Sequence, residues 1–110
     1  MPPGFDQALQ AGRLLFDGPI GTELLSRGQR PPFEELNAAS PALVREVHRS
    51  YVAAGARVLR ANTLLARPGA VADSARLARL GVALAREAAS PEVWVGAPVG
   101  GPVRIPPPGK

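Results

Sequence analysis

Apolar residues alternate along this chain between two patterns. Short, mostly apolar runs occupy residues 13–16, 57–61 and 93–95, which is typical of strands buried on both faces of a sheet. Between them, in 41–54 and 73–89, apolar residues return at the spacing of an amphipathic helix. Because strands alternate with helices of this length, the pattern predicts βαβ units, a parallel sheet and an α/β fold.

The two long helices carry clear signals at their ends. Ser40 and Pro41 fit the N-cap and the first position of the middle helix, and Gly55 fits its end. Gly81 interrupts the last helix and weakens it by about 1 kcal/mol relative to Ala. We therefore expect close packing against the sheet at Gly81.

The shorter segments are predicted from local residue types. Residues 5–11 form a short leading helix, with Phe5 on its apolar face. A second short helix covers 22–27, capped by Thr22 and ended by Gly28. Residues 30–39 begin with two prolines and are predicted to be irregular, pinned to the core by Phe33 and Leu36.

Polar residues and glycines follow each predicted strand. They are Asp17, Gly18 and Gly21 after the first strand, Asn62 and Thr63 after the second, and the Gly/Pro-rich loop 96–102 after the third. In parallel α/β folds, ligands gather at the carboxyl ends of the strands. The sequence therefore predicts one pocket at this edge of the sheet.

Each of these residues also has a purely structural interpretation. Asp17 fits a loop cap equally well, and the two glycines could serve turn geometry alone. Asn62 and Thr63 could satisfy loop N–H groups. His48 lies on the middle helix beside apolar positions, so a packing role is favoured over catalysis.

Composition limits the chemistry that the chain can support. Its 110 residues correspond to one domain or part of one, and it has no Cys and one His. Disulfides, thiolate ligands and a self-contained zinc site are therefore excluded, and no catalytic or metal-ligating residue is assigned.

Charge and hydropathy narrow the class of partner. The net charge is +4 and twelve of thirteen basic residues are Arg, but they are scattered rather than interleaved with aromatic residues. Solvated helix faces are favoured over nucleic-acid binding, which remains the lesser alternative. No apolar run reaches the roughly 20 residues of a membrane span and no signal peptide is present, so we expect a cytoplasmic protein.

An ordered set of motifs resembles the homocysteine S-methyltransferase family. The motifs are Asp17-Gly18-x-x-Gly21-Thr22, Leu36-Asn37 before Ser40-Pro41, Val44-Arg45-x-x-His48-x-x-Tyr51, Ala54-Gly55-Ala56, Asn62-Thr63, Leu84-Ala85-Arg86-Glu87-Ala88-Ala89 and the Gly96 to Pro102 loop. The resemblance covers about 13–102. The same domain occurs in betaine–homocysteine methyltransferase and in cobalamin-dependent methionine synthase.

The resemblance implies a (β/α)8 TIM barrel that methylates the thiol of homocysteine and so serves methionine biosynthesis. In the family, three Cys on late strands bind the zinc that keeps the sulfur as a thiolate. A full barrel takes about 250 residues, so the resemblance implies a truncated transferase, inactive alone, with about the first three βα units. Its divisions are a helical lead-in over 1–12, a partial homocysteine-binding domain over 13–102 and a Pro-rich disordered tail over 103–110.

The resemblance also implies a substrate-binding set. Asp17, Gly18, Gly21 and Thr22 would hold the amino-acid end of homocysteine, with backbone N–H groups for its carboxylate and Asp17 either pairing with its ammonium or ordering the loop. Asn62 and Thr63 would form the floor, and Gly100 and Gly101 the rim. A complementing C-terminal fragment or self-association would complete the barrel. The alternative is a non-enzymatic βαβ remnant that binds a small amino acid or a partner chain through its open sheet edges.

Overall fold

The computed structural model describes residues 4–10 and 14–99. Its elements are α1 (Phe5–Gln10), α2 (Ile20–Ser26), a 3-10 helix (Phe33–Glu35), α3 (Leu36–Ala39), α4 (Pro41–Ala53), β1 (Val58–Arg60), α5 (Ser74–Ala88) and β2 (Trp94–Gly96). The predicted rim residues Gly100 and Gly101 and the tail 103–110 lie outside the described residues. No helix in the described ranges is both long and apolar enough to cross a membrane.

The sheet has the predicted parallel arrangement. β1 and β2 pair in parallel, with Val58 opposite Trp94 and Arg60 opposite Gly96, and α5 connects them along the chain. The first predicted strand is reduced to a single parallel bridge between Phe16 and Val58. The α/β class with parallel strands is therefore confirmed, whereas a third full strand is not formed within the described ranges.

The predicted burial of the first strand is wrong. Leu15 is 56% exposed and Phe16 is 44% exposed, although Asp17 N donates to the Val58 carbonyl at 3.0 Å as a strand residue would. A continuous apolar run is buried on both faces only where other elements cover both faces. Residues 14–16 pair with β1 alone, and the described part of the chain leaves these two side chains uncovered.

The core lies where α4 and α5 pack against each other and against the sheet. Val44 and Val47 on α4 are fully buried, as is Leu59 on β1. Leu59 also packs with Ala56 and Val93 beneath the partly buried Tyr51. The helical periodicity thus identified the buried face of α4, which begins at Pro41 and is followed by Gly55 at φ +107°.

The prediction of an irregular chain over 30–39 is wrong. Only Pro31 and Pro32 lack a backbone donor, and helical structure resumes directly after them, at Phe33. Phe33 and Leu36 are only partly buried. The buried residues in the segment are polar instead: Glu34 is 5% exposed and Asn37 is 1% exposed.

The predicted capping role of Thr22 is also wrong. α2 begins at Ile20, directly after Pro19, and no side chain caps it. Thr22 is therefore inside the helix, where its side chain is exposed. Gly28 ends α2 as predicted, with a φ of +83° that favours glycine.

Candidate functional site

A cavity of about 440 Å³ opens at the carboxyl ends of the bridged segment and β1. Four of the predicted substrate-binding residues line it, namely Gly18, Gly21, Asn62 and Thr63. Asp17 and Thr22 do not line it. The strand-end residues thus surround one cavity, as the topology predicted.

Asp17 ties the loop after the bridged segment to the end of β1. Its Oδ2 accepts a hydrogen bond from the Arg60 backbone N–H at 2.9 Å, and its Oδ1 accepts one from Arg60 Nε at 2.9 Å. Arg60 Nη2 donates to the Asp17 carbonyl at 2.6 Å. The Asp17 side chain is 1% exposed, so these contacts serve the loop-ordering role. Pairing with a substrate ammonium stays a prediction.

Gly18 permits a close approach between this loop and α4. An ideal Cβ on Gly18 would lie 2.7 Å from Tyr51 Oη, which is closer than real Cβ contacts allow. Tyr51 Oη donates to the Pro19 carbonyl at 3.4 Å. Burial raises the pKa of Tyr51, and the nearby Glu23 and Asp17 charges raise it further. The phenol therefore stays neutral and keeps its proton for this bond.

Two asparagine side chains form a buried network beneath the cavity. Asn62 Nδ2 donates to Asn37 Oδ1 at 3.0 Å and to the Phe33 carbonyl at 2.9 Å. Asn37 Nδ2 donates to the Asn62 carbonyl at 2.8 Å and to the Leu77 carbonyl at 2.9 Å. The network joins the segment after β1 to the 3-10 helix, α3 and α5, so it fixes the floor of the cavity.

Asn37 is a site-supporting residue that sequence reasoning missed. It was part of the Leu36-Asn37 motif, but no role was attached to it because it fell in a segment predicted to be irregular. The available signal was a polar residue three positions before Ser40, where the strong helix start at Ser40-Pro41 begins.

Gly81 lets α5 pack directly against this floor. An ideal Cβ on Gly81 would lie 2.7 Å from Asn37 Nδ2, 2.9 Å from the Asn62 carbonyl oxygen and 2.9 Å from Thr63 Cγ2. Thr63 Oγ1 in turn donates to the Pro98 carbonyl at 2.9 Å. The expected close packing at Gly81 is therefore confirmed, but its partners are α3 and the segment that follows β1 rather than the strands of the sheet.

Glu34 is a second residue that the sequence did not single out. It lies in the wall of the cavity, is 5% exposed, and its Oε2 accepts a hydrogen bond from the Leu65 N–H at 3.1 Å. Its position three residues before the buried Asn37 places both on one helical face. That spacing was visible in the sequence, but a carboxylate gave no reason to expect burial.

The residues of this chain do not fit the zinc site that the family resemblance implies. The sequence has no Cys, and the described ranges contain no group of three or more metal-ligating side chains. Of the candidate ligands, Asp17 is bonded to Arg60, and His48 is fully buried on α4. No metal-dependent step is therefore assigned to these residues.

His48 is held in its neutral form by the core. Its exposure is 0%, and neither ring nitrogen has a hydrogen-bond partner among the residues that the structure describes. Burial lowers the pKa of His48 below its ordinary value of 6.5, and the negative charge of Asp17 opposes part of that change. This supports the expected packing role, in which the imidazole acts as a largely apolar filler.

We expect the chain to lose stability in weak acid through His48. The folded-state pKa is lowered, so the unfolded chain binds this proton first and the free energy of unfolding falls as pH drops below about 6.5. The loss ends once the folded-state pKa is passed. Urea unfolding from pH 8 to pH 5 would measure it, and His48→Phe should flatten the slope near pH 6. An unchanged slope in His48→Phe would contradict the assignment, since this is the chain's one His.

Comparison with known proteins identifies a family. Residues 14–104 match the model of the family described as homocysteine S-methyltransferase. The match covers more than half of the chain and includes every residue of the cavity wall described above. No curated protein matches the sequence.

Proposed function

The chain belongs to the homocysteine S-methyltransferase family, and we propose that it supplies the amino-acid-binding side of a homocysteine methyltransferase site. The observation that carries this proposal is the shared cavity at the strand ends. Its wall brings together Gly18 and Gly21 from the first loop with Asn62 and Thr63 from the second. The reaction of the family then makes homocysteine the ligand and methionine the product.

We further propose that 13–102 form the first βα units of a (β/α)8 barrel. The parallel register of β1 and β2 supports this, as does the bridge that places residue 16 beside β1 in the order expected for successive barrel strands. Helices connect the bridged segment to β1 and β1 to β2, as they connect successive strands of a barrel. The exposed side chains of Leu15 and Phe16 would be covered by additional strands.

The proposed division of roles within the site follows from the contacts. Backbone N–H groups of the loop around Gly18 would receive the substrate carboxylate, and Gly100 and Gly101 would form the rim. Asn62 shapes the floor rather than presenting a free amide, because its side chain is bonded to Asn37 and Phe33. Thr63 is similarly fixed by Pro98.

We propose that this chain alone binds the amino acid without transferring the methyl group. Transfer requires the homocysteine sulfur as a thiolate, and the side chains of this sequence include no thiolate ligands for a zinc ion that would generate it. A complementing C-terminal fragment would have to supply them. Amino-acid binding by this chain can therefore be measured separately from methyl transfer.

Titration calorimetry of the purified chain with L-homocysteine, under reducing conditions, tests this proposal. We expect a Kd of about 1 mM or below, unchanged by EDTA because no metal ligands come from this chain. D-homocysteine should bind about 10-fold more weakly, because its ammonium and carboxylate exchange positions.

Two outcomes would contradict the proposal. Loss of binding in EDTA would show that a metal holds the ligand after all. Absence of binding together with a mass that rises with concentration in sedimentation would favour the second candidate, a binding module for a partner chain. The exposed apolar side chains of Leu15 and Phe16 beside β1 are the observation that supports that candidate.

A further inference from the structure

Glu34 is a buried carboxylate that forms no ion pair within the described part of the chain. It is 5% exposed, and the described ion pairs involve other residues. The Leu65 N–H supplies one hydrogen bond to Oε2. A buried charge is costly unless it is paired, so this carboxylate favours the entry of a cation.

Among the described residues, the cavity wall supplies no cation for Glu34 that is not already paired. Arg60 is the one basic residue that this part of the chain places in the wall, and its Nε and Nη2 atoms are bonded to Asp17. Most of the remaining wall is apolar and includes Ile20, Phe33, Leu64 and Leu65. An apolar wall strengthens the attraction between Glu34 and a cation inside the cavity.

We propose that Glu34 accepts the α-ammonium group of the amino acid bound in this cavity. The inference rests on the proposed function and assigns to Glu34 the ammonium contact that the sequence suggested for Asp17. Asp17 has both carboxylate oxygens bonded to Arg60, whereas Glu34 lines the cavity itself. The ligand class is therefore a small amino acid with a free primary ammonium.

Two ligands that differ chiefly in that group test the proposal. L-Methionine carries the ammonium, and 4-(methylthio)butanoate lacks it. Calorimetry would measure the affinity of both ligands for the wild-type chain, for Glu34→Gln and for Glu35→Gln. Glu35→Gln is the matched control, because Glu35 is the exposed neighbour of Glu34. Gln retains an oxygen acceptor for the Leu65 N–H, and circular dichroism would check that each variant is folded.

In the wild-type chain we expect methionine to bind about 10- to 100-fold more tightly than the deaminated analogue, as a charged hydrogen bond allows. Glu34→Gln should reduce that ratio to about 1, with binding of the analogue changed little. Glu35→Gln should keep the wild-type ratio. In NMR spectra, methionine but not the analogue should shift the Leu65 amide resonance of the wild-type chain.

The outcomes separate this inference from the proposed function. Binding of methionine with a ratio that Glu34→Gln leaves unchanged overturns the role of Glu34 and retains the proposed function. Failure of the wild-type chain to bind either ligand overturns both. If Glu34→Gln does not fold, the Leu65 amide resonance of the wild-type chain tests the role of Glu34. Equal shifts of that resonance with both ligands overturn the proposal.

Discussion

Replacing Gly81 by Ala is expected to lower the free energy of unfolding by about 2–4 kcal/mol, although Ala is the better helix former by about 1 kcal/mol. The added Cβ would lie within 2.9 Å of the Asn62 carbonyl oxygen and Thr63 Cγ2. α5 would therefore have to move away from α3 and from the segment after β1, with strain of about 1–3 kcal/mol and weakened bonds in the asparagine network. Thermal unfolding should show a midpoint lower by about 10 °C or more.

Ala83→Gly is the matched control for Gly81→Ala. Ala83 lies on the same helix but is exposed, so the reverse exchange should cost about 1 kcal/mol through helix propensity alone. A Gly81→Ala chain as stable as wild type would contradict the close packing at this position. It would mean that helix propensity, and not the contact with the cavity floor, determines how a substitution at residue 81 changes the free energy of unfolding.

Replacing Asn37 by Leu is expected to cost about 3–5 kcal/mol. The change removes the donor to the Asn62 and Leu77 carbonyls and the acceptor for Asn62 Nδ2. Asn37 is 1% exposed, so water does not readily replace these bonds. Because Asn62 lines the cavity, we also expect weaker amino-acid binding in any folded fraction.

Urea unfolding of Asn37→Leu against Ala38→Leu measures this effect. Ala38 is the exposed neighbour on α3, so the same new side chain there should change the free energy of unfolding by less than about 1 kcal/mol. If Asn37→Leu were as stable as wild type, the polar network would not hold the floor, and apolar packing would suffice between α3 and α5.

Local sequence signals were sufficient to predict the elements whose structure is set by residues close together in the sequence. The stripe on α4 follows helical periodicity, Pro41 starts that helix and Gly55 follows it. α5 and β1 were likewise predicted within a few residues. These elements can be predicted from the preferred dihedral angles of each residue and from the burial of one face. Both can be inferred from the order of consecutive residues.

The candidate site was predictable in place but not in its contacts. The strand ends and their polar residues pointed to the cavity, and Gly18, Gly21, Asn62 and Thr63 line it. Thr22 was assigned to the site through the family resemblance, but it does not line the cavity. Its separate assignment as a cap failed because α2 begins at Ile20. The roles of Glu34 and Asn37 were missed because helix propensity describes an isolated segment. Their burial comes from α5 and from the segment after β1, which pack against them.

The sequence by itself determined the parallel α/β order, the approximate boundaries of α4 and α5, the family and the lack of thiolate ligands. Only the tertiary structure decided that Asp17 pairs with Arg60, 43 positions away, that Asn37 and Asn62 interlock, and that Phe16 remains open to solvent. Periodicity reports which face of one element is apolar. It carries no information on which polar groups meet across elements, since that depends on how the packed helices and strands are positioned in space.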